Sequence, residues 1–382
     1  MTFIHAHASD DGTIRLYKRG RGAFLSAISD RQLIFCHLYQ EKGRKLKLEE
    51  PLRLGDDVIR TVPLIPARAS MDVAWNDKNV LKTLEAPSYT ALKGFVEARL
   101  RNPGLIFFDL MPPLYLYCLK KRIKFFANYD KPSMLVFDIE ALHPIGAFPK
   151  PERPEDKVIC IAVAYGRLGD EPRIKSFSLA DFKDEKGLVS AFENFIHERD
   201  PDIIATYSTF DIDFLLRRFG SLKIGFKGAS PEARKAFIGR ARKESLRVII
   251  PGRNYVDLLS LVMGHPQRRE ADSLKLEDMA AFFGVSSRRV KPLMADEIVR
   301  LWKNRPEVVE TYCEDDAAEA YGLANILLPV ELQLSRMLLL PLDEVVTMSR
   351  YALMLRLITI RAHERGIAVP VLPRQAHEHY EG

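Results

Sequence analysis

The chain has 382 residues, 47% hydrophobic and 28% charged, which excludes a disordered tail, a collagen-like rod and a disulfide-stapled miniprotein. At about 100–200 residues per domain this length predicts two or three domains. The net charge of +6 is concentrated early: residues 1–131 hold 22 Lys and Arg against 14 Asp and Glu, a pattern suited to a polyanionic partner or to solubility alone.

Residues 1–131 read as α+β. Thr13–Tyr17 alternates, and the basic turn Lys18-Arg-Gly-Arg-Gly-Ala leads into Phe24–Ile28, which predicts a hairpin. Leu33–Tyr39 and Val58–Leu64 are further strand candidates. Tyr89–Leu100 has helical spacing and ends near the turn signal Asn102-Pro-Gly, and Leu105–Leu110 reads as a short buried strand. Lys120-Lys121-Arg122-Ile-Lys is a basic run, either a solvated face or a binding patch.

Residues 132–335 read as α/β. Strands are expected at Ser133–Phe137, Val158–Tyr165, Ile174–Leu179, Asp202–Tyr207 and Arg253–Asp257. Helices are expected at Leu188–Asp200, Phe210–Phe219, Leu258–Met263, Lys275–Phe283, Met294–Lys303 and Pro306–Leu328. A proline-rich loop covers Pro144–Pro154, and the Lys- and Arg-rich stretch Lys227–Arg247 reads as a surface insertion. From Glu331 to about Arg365 the pattern is helical, and a polar tail with His377 and His379 follows, read as solvated rather than metal-binding.

No apolar run approaches the roughly 18–20 residues that span a bilayer, and the N-terminus lacks the basic and apolar regions of a signal peptide. The four cysteines, Cys36, Cys118, Cys160 and Cys313, are far apart and form no CxxC, which argues against a disulfide framework or zinc site and fits a reducing interior.

The chemistry resides in carboxylates. Asp138-Ile-Glu140 closes an apolar strand, and a period of two puts both acids on one face, roughly 7 Å apart along the chain. Two acids aimed together favour a hard divalent cation between them; a solvated strand end is the plainer alternative. Asp211 follows the strand Ile203–Tyr207 and could equally be a helix N-terminal residue stabilised by the dipole, with Asp213 as a nearby competitor. Tyr312 and Asp316 are four apart on a helix and share a face, while Glu314 and Asp315 suit an exposed helix surface. Together Asp138, Glu140, Asp211 and Asp316, with Tyr312 alongside to hold water, suit two-metal phosphodiester hydrolysis.

These motifs resemble those of the N-terminal and 3′–5′ exonuclease domains of family B DNA polymerases, especially the archaeal type. Asp138-Ile-Glu140 resembles the first exonuclease motif, Phe210-Asp211 the second and Tyr312 through Asp316 the third, of the Tyr-x-x-x-Asp form. Asp200-Pro-Asp-Ile-Ile-Ala-Thr-Tyr207, Gly252-Arg253 with Asp257-Leu258, Glu331–Arg336 and Glu364–Pro370 are similar to family segments too. Ala141 stands where the family commonly has Thr, and Thr209 where it has Asn. No Ser-Leu-Tyr-Pro-Ser or Asp-Thr-Asp is present, and Tyr380-Glu-Gly382 resembles the start of the linker to the palm.

The resemblance implies an RNase H-like 3′–5′ exonuclease domain at 132–335, with a mixed central sheet flanked by helices. An α+β N-terminal domain at 1–131 would precede it, and a helix and linker toward a missing palm would follow at 336–382. It implies a proofreading exonuclease on single-stranded DNA 3′ ends, with Mg²⁺ or Mn²⁺ as a two-metal cofactor. Asp138, Glu140, Asp211 and Asp316 would be the metal ligands and Tyr312 would orient water. Phe210, Thr209, Lys120, Lys121 and Arg122 would contact DNA, with a core aromatic as the plainer role for Phe210. Implied partners are DNA, a polymerase-core chain carrying palm, fingers and thumb, and a sliding clamp through that chain; the implied setting is cytoplasmic and nucleoid-associated, with no membrane. A catalytically silent scaffold that docks the polymerase core is the alternative that Ala141 and Thr209 motivate. A free-standing nuclease acting on RNA is the third.

Overall fold

The computed structural model of the chain describes residues 2–20, 25–32, 35–41, 52–54, 57–63, 79–100, 105–108, 110–228, 234–239, 247–271, 273–286, 293–367 and 369–371. The tight part of the first basic turn, the Asn102-Pro-Gly turn, parts of 227–247, the histidines at 377 and 379 and the segment 380–382 lie outside the described residues. The chain forms two compact units that are not contiguous in sequence: residues 1–5, 17–27 and 124–350, and residues 6–16, 28–123 and 351–382.

The first 131 residues contribute strands β1 (Thr2–Ala8), β2 (Thr13–Arg19), β3 (Leu25–Arg31), β4 (Phe35–Glu41), β5 (Leu52–Leu54), β6 (Asp57–Pro63) and β7 (Asn79–Glu85), helix α1 (Tyr89–Glu97), strand β8 (Leu105–Phe108) and helix α2 (Pro113–Lys121). One sheet has the order β1-β2-β3, the other β5-β6-β7-β4-β8. Helix α1 starts where Ser88 accepts from the Ala91 N–H, and it buries Leu92, Phe95 and Val96. The basic run at Lys120 proves to be the end of helix α2. Pro113 opens this helix, its turn toward Arg122 closes it in the left-handed region, and the Lys residues are its exposed last turn.

The acidic motifs belong to the unit of residues 1–5, 17–27 and 124–350. Its sheet, β11-β10-β9-β12-β15, is built from β9 (Ser133–Ala141), β10 (Val158–Arg167), β11 (Arg173–Ser178), β12 (Ile203–Thr206) and β15 (Asn254–Asp257), with β13 (Phe237–Gly239) and β14 (Arg247–Ile249) as a separate antiparallel pair. Strands β9, β10 and β11 pair antiparallel, while β12 runs parallel to both β9 and β15, so the sheet is mixed. Strand β9 does not stop before the acidic motif but runs through it to Ala141.

Alternation along β9 decides which face carries chemistry. Leu135, Phe137, Ile139 and Ala141 point into a core with Ile161 and Val163 of β10. That core is closed by α3 (Glu185–Arg199), through Leu188, Phe192 and Ile196, and by α4 (Phe210–Phe219), through Ile212 and Leu215. Asp138 and Glu140 therefore point to the opposite face, where a long helix, α8 (Pro306–Leu338), lies across β9 and β10. The buried stripe Cys313, Ala317, Ala320 and Ala324 keeps that helix close to the strands. Before α8 come α5 (Leu258–Gly264), α6 (Leu276–Phe282) and α7 (Ala295–Asn304); after it come α9 (Leu342–Thr347) and α10 (Arg350–Glu364).

Two expectations about helices are corrected. Helix α8 runs past Leu328 and through Pro329, because Leu327, Leu328, Leu332, Ser335 and Leu338 keep burying its inner face, and this outweighs one lost backbone bond. The continuous helix expected from Glu331 is instead broken at Leu339, whose φ of 54° ends α8, and at Pro341, which precedes α9. Among the described residues no helix is long and apolar enough to cross a membrane.

Candidate active site

Asp138, Glu140 and Asp316 converge. One carboxylate oxygen from each lies within 4.8 Å of the other two, and among the described residues this is the group of three or more metal-capable side chains that forms. Strand β9 supplies two acids at i and i+2, and α8 supplies the third. Asp316 is buried, while Asp138 and Glu140 are half-buried.

Asp211 sits beside this group rather than in it. It is 6% exposed at the start of α4. Its carboxylate is held by its own backbone N–H and by that of Ile139, the residue between the two β9 acids. Burial, then Asp316 and Asp257, push its carboxyl up to about 7 against those backbone bonds. Asp138 is likewise raised well above the usual carboxylate range, first by burial, then by the charges of Asp211, Asp316 and Glu140. Asp138 thus feels the other three acids, and Asp211 feels Asp316. The competitor Asp213 is turned away and forms an ion pair with Arg217 at 2.8 Å.

Tyr312 is half-buried on α8, packed against the cluster of Ile159, Ile298 and Val309. Glu314 is turned toward β11, where it accepts from the Ser176 hydroxyl at 2.5 Å. Phe210 is at once a packed aromatic and a neighbour of the surface. Its ring packs against Phe214, with centroids 5.7 Å apart, and edge-on against Phe148 at 5.4 Å, whose side chain is 71% exposed. The Thr209 hydroxyl bonds the Asp257 carboxylate. In the other unit, Lys120, Lys121 and Arg122 are exposed, and Arg122 pairs with Glu364 at 2.6 Å.

Three residues at the site do not stand out as site residues in the sequence. Asp257 ends β15, caps α5 by accepting from Ser260, and has its pKa raised chiefly by burial. It is level with Thr206 of β12, and its signal is an acid following an apolar strand, the same signal that marks Asp138. Cys313 lies one residue beyond Tyr312, its Sγ 3.4 Å from Asp138 Oδ2, and burial followed by Cys160 and Asp138 keeps its thiol protonated far above the usual range. Phe148 lies on the proline-rich loop, where no periodicity marks it.

A mixed sheet flanked by helices, with acids from adjacent elements gathered on one face, is an RNase H-like arrangement. The comparisons agree: residues 116–279 match the exonuclease domain of DNA polymerase family B. A DNA polymerase of Archaeoglobus fulgidus is 32% identical over 258 residues, covering 67% of this chain and 30% of that protein. The DNA polymerase of Pyrococcus horikoshii is 27% identical over 283 residues, 70% of this chain and 22% of that protein. The structure of the family B DNA polymerase from the hyperthermophilic archaeon Pyrobaculum calidifontis matches with a TM-score of 0.73 at 20% identity, covering all of this chain and 53% of that one. The chain carries the exonuclease domain of DNA polymerase family B, and its match spans about a third or less of those two archaeal polymerases.

Proposed function

We propose that this chain is a metal-dependent 3′–5′ exonuclease that shortens single-stranded DNA, acting as the proofreading module of a family B DNA polymerase whose polymerising domains lie elsewhere. The observation that carries this reading is the convergence of Asp138, Glu140 and Asp316 within 4.8 Å in a family B exonuclease domain. The donor set is all carboxylate oxygen, which suits a hard divalent cation, and the raised Asp138 and Asp211 carboxyls indicate negative charge that a cation would relieve.

Asp138, Glu140 and Asp316 would hold Mg²⁺ or Mn²⁺, with Asp211 completing the negative wall. When bound, the metal supplies polarisation of the scissile phosphate and a water acidic enough to ionise near neutral pH. The Tyr312 hydroxyl would orient the attacking water. Phe210, with exposed Phe148 beside it, stacks on unpaired terminal bases, a contact that tolerates any base. Thr209 helps to seat the strand, and Lys120, Lys121 and Arg122 meet phosphates, which makes binding weaken with salt.

The test is a 5′-labelled single-stranded primer with Mg²⁺. The wild-type chain is expected to shorten it stepwise from the 3′ end, faster than a matched RNA strand. Asp138→Ala is expected to slow it about a hundredfold or more, since such a site contributes several kcal/mol of transition-state stabilisation. Equal degradation by both proteins would sink the assignment. Tyr312→Phe is expected to cut the rate by about 10–100-fold while leaving Mn²⁺ affinity unchanged, read by single-turnover kinetics and a metal titration.

A further inference from the structure

We infer that the Cys313 thiol is a positioning group for the Asp138 carboxylate, fixing its rotation so that it can act as a metal ligand. The inference rests on the proposed metal site. Cys313 Sγ lies 3.4 Å from Asp138 Oδ2 and 3.5 Å from the Asp138 backbone oxygen, and one S–H serves both acceptors of one residue. Such a two-point contact opposes rotation about the last side-chain torsion of aspartate, which is otherwise broad.

Cys313 is fully buried on the strand-facing side of α8, three residues before the ligand candidate Asp316. One helix turn therefore sets both the third acid and the group that steadies the first. On the strand side, Cys160 of β10 stands opposite Glu140, and its sulfur is among the groups that keep the Cys313 thiol protonated.

A thiol suits this place for a chemical reason. It is small enough for the close helix–strand approach, and it donates without bringing a positive charge that would compete with the cation for Asp138. Hydrogen bonds to ligating carboxylates set metal affinity, and their loss typically costs about 10–100-fold.

The experiment compares the wild type with Cys313→Ala, Cys313→Val and Cys313→Ser. Mn²⁺ binding is followed by the loss of the free-ion electron paramagnetic resonance signal, and melting temperature is recorded alongside. Ala removes the donor, Val removes it while filling the volume, and Ser keeps a hydroxyl donor. Ala and Val are expected to weaken Mn²⁺ about tenfold or more, with Ser within about threefold of wild type. Ala and Val binding as tightly as wild type would overturn the role, as would Ser binding as weakly as Val. Wild type that binds no Mn²⁺ overturns the nuclease reading together with this one, whereas wild type that binds while all variants bind equally overturns this one alone. If the Cys313 variants do not fold, the S–H stretching band of wild-type protein still decides. It is expected to shift in Asp138→Ala, and an unmoved band would overturn the hydrogen bond itself.

Discussion

Arg253→Ala is expected to destabilise the unit that carries the acidic cluster by about 3–5 kcal/mol, the usual cost of deleting one partner of a buried ion pair. Arg253 is fully buried at the start of β15. Its guanidinium donates to the backbone oxygens of Ile224 at 2.8 Å, Pro201 at 2.5 Å and Gly225 at 3.4 Å, and pairs with Asp200 at 2.9 Å. Gly252 delivers it, with a φ of 84°, and a Cβ there would meet Phe226 at 2.8 Å. Arg19 shares the same acids: it bonds Asp202 at 2.5 Å and Asp200 at 2.9 Å, while Asp202 also accepts from Tyr129 and Ser133. Deleting Arg253 leaves several buried carbonyls without a donor and Asp200 with half its partners. Arg253→Lys is not expected to rescue, because a single ammonium cannot reproduce a planar fork that serves acceptors on different segments. Thermal unfolding checks this, with a fall of roughly 10 °C expected. An Ala variant melting within about 2 °C of wild type would show that Arg19 alone holds this corner.

The same residues show how far a sequence can be read. Period two in Ser133–Ala141 is enough to place Asp138 and Glu140 together, because a strand's geometry turns spacing into direction. The i, i+4 relation places Tyr312 and Asp316 on one face of α8. Asp211 is legible as an acid opening a helix, but not its bond to the Ile139 N–H, which exists only because β9 and α4 meet. Cys313 and Cys160 stand out in the sequence only as isolated cysteines, and their meeting depends on α8 crossing β10 at one register. Helix α2 is hidden because its polar end dominates the pattern, and α8 runs through Pro329 because packing outweighs a local rule. Local periodicity is readable; what depends on two elements crossing is not.

Asp138→Asn is expected to stabilise the metal-free protein at neutral and alkaline pH while removing nuclease activity. The Asp138 carboxyl is raised well above the ordinary range, and that of Asp211 is pushed up to about 7 from 3.8. A carboxyl whose pKa is higher in the folded than in the unfolded chain binds its proton more tightly when folded. Its contribution to stability is therefore complete below about pH 4 and is lost as pH rises to about 7. Each tenfold gain in proton affinity on folding corresponds to about 1.4 kcal/mol, so the cluster as a whole costs a few kcal/mol once ionised. Melting curves in a chelator are expected to show wild type losing stability from pH 5 to pH 8 more steeply than Asp138→Asn, which carries one charge fewer in the cluster. Adding Mg²⁺ is expected to raise the wild-type melting temperature at pH 8 far more than at pH 5, and to do little for the variant. A variant no more stable than wild type at pH 8 without metal would show that the acids do not strain one another. The reason to expect the opposite is the arrangement itself: a cluster that destabilises the empty fold has its charge already in place for a cation, and the stability lost without metal reappears as affinity when metal binds.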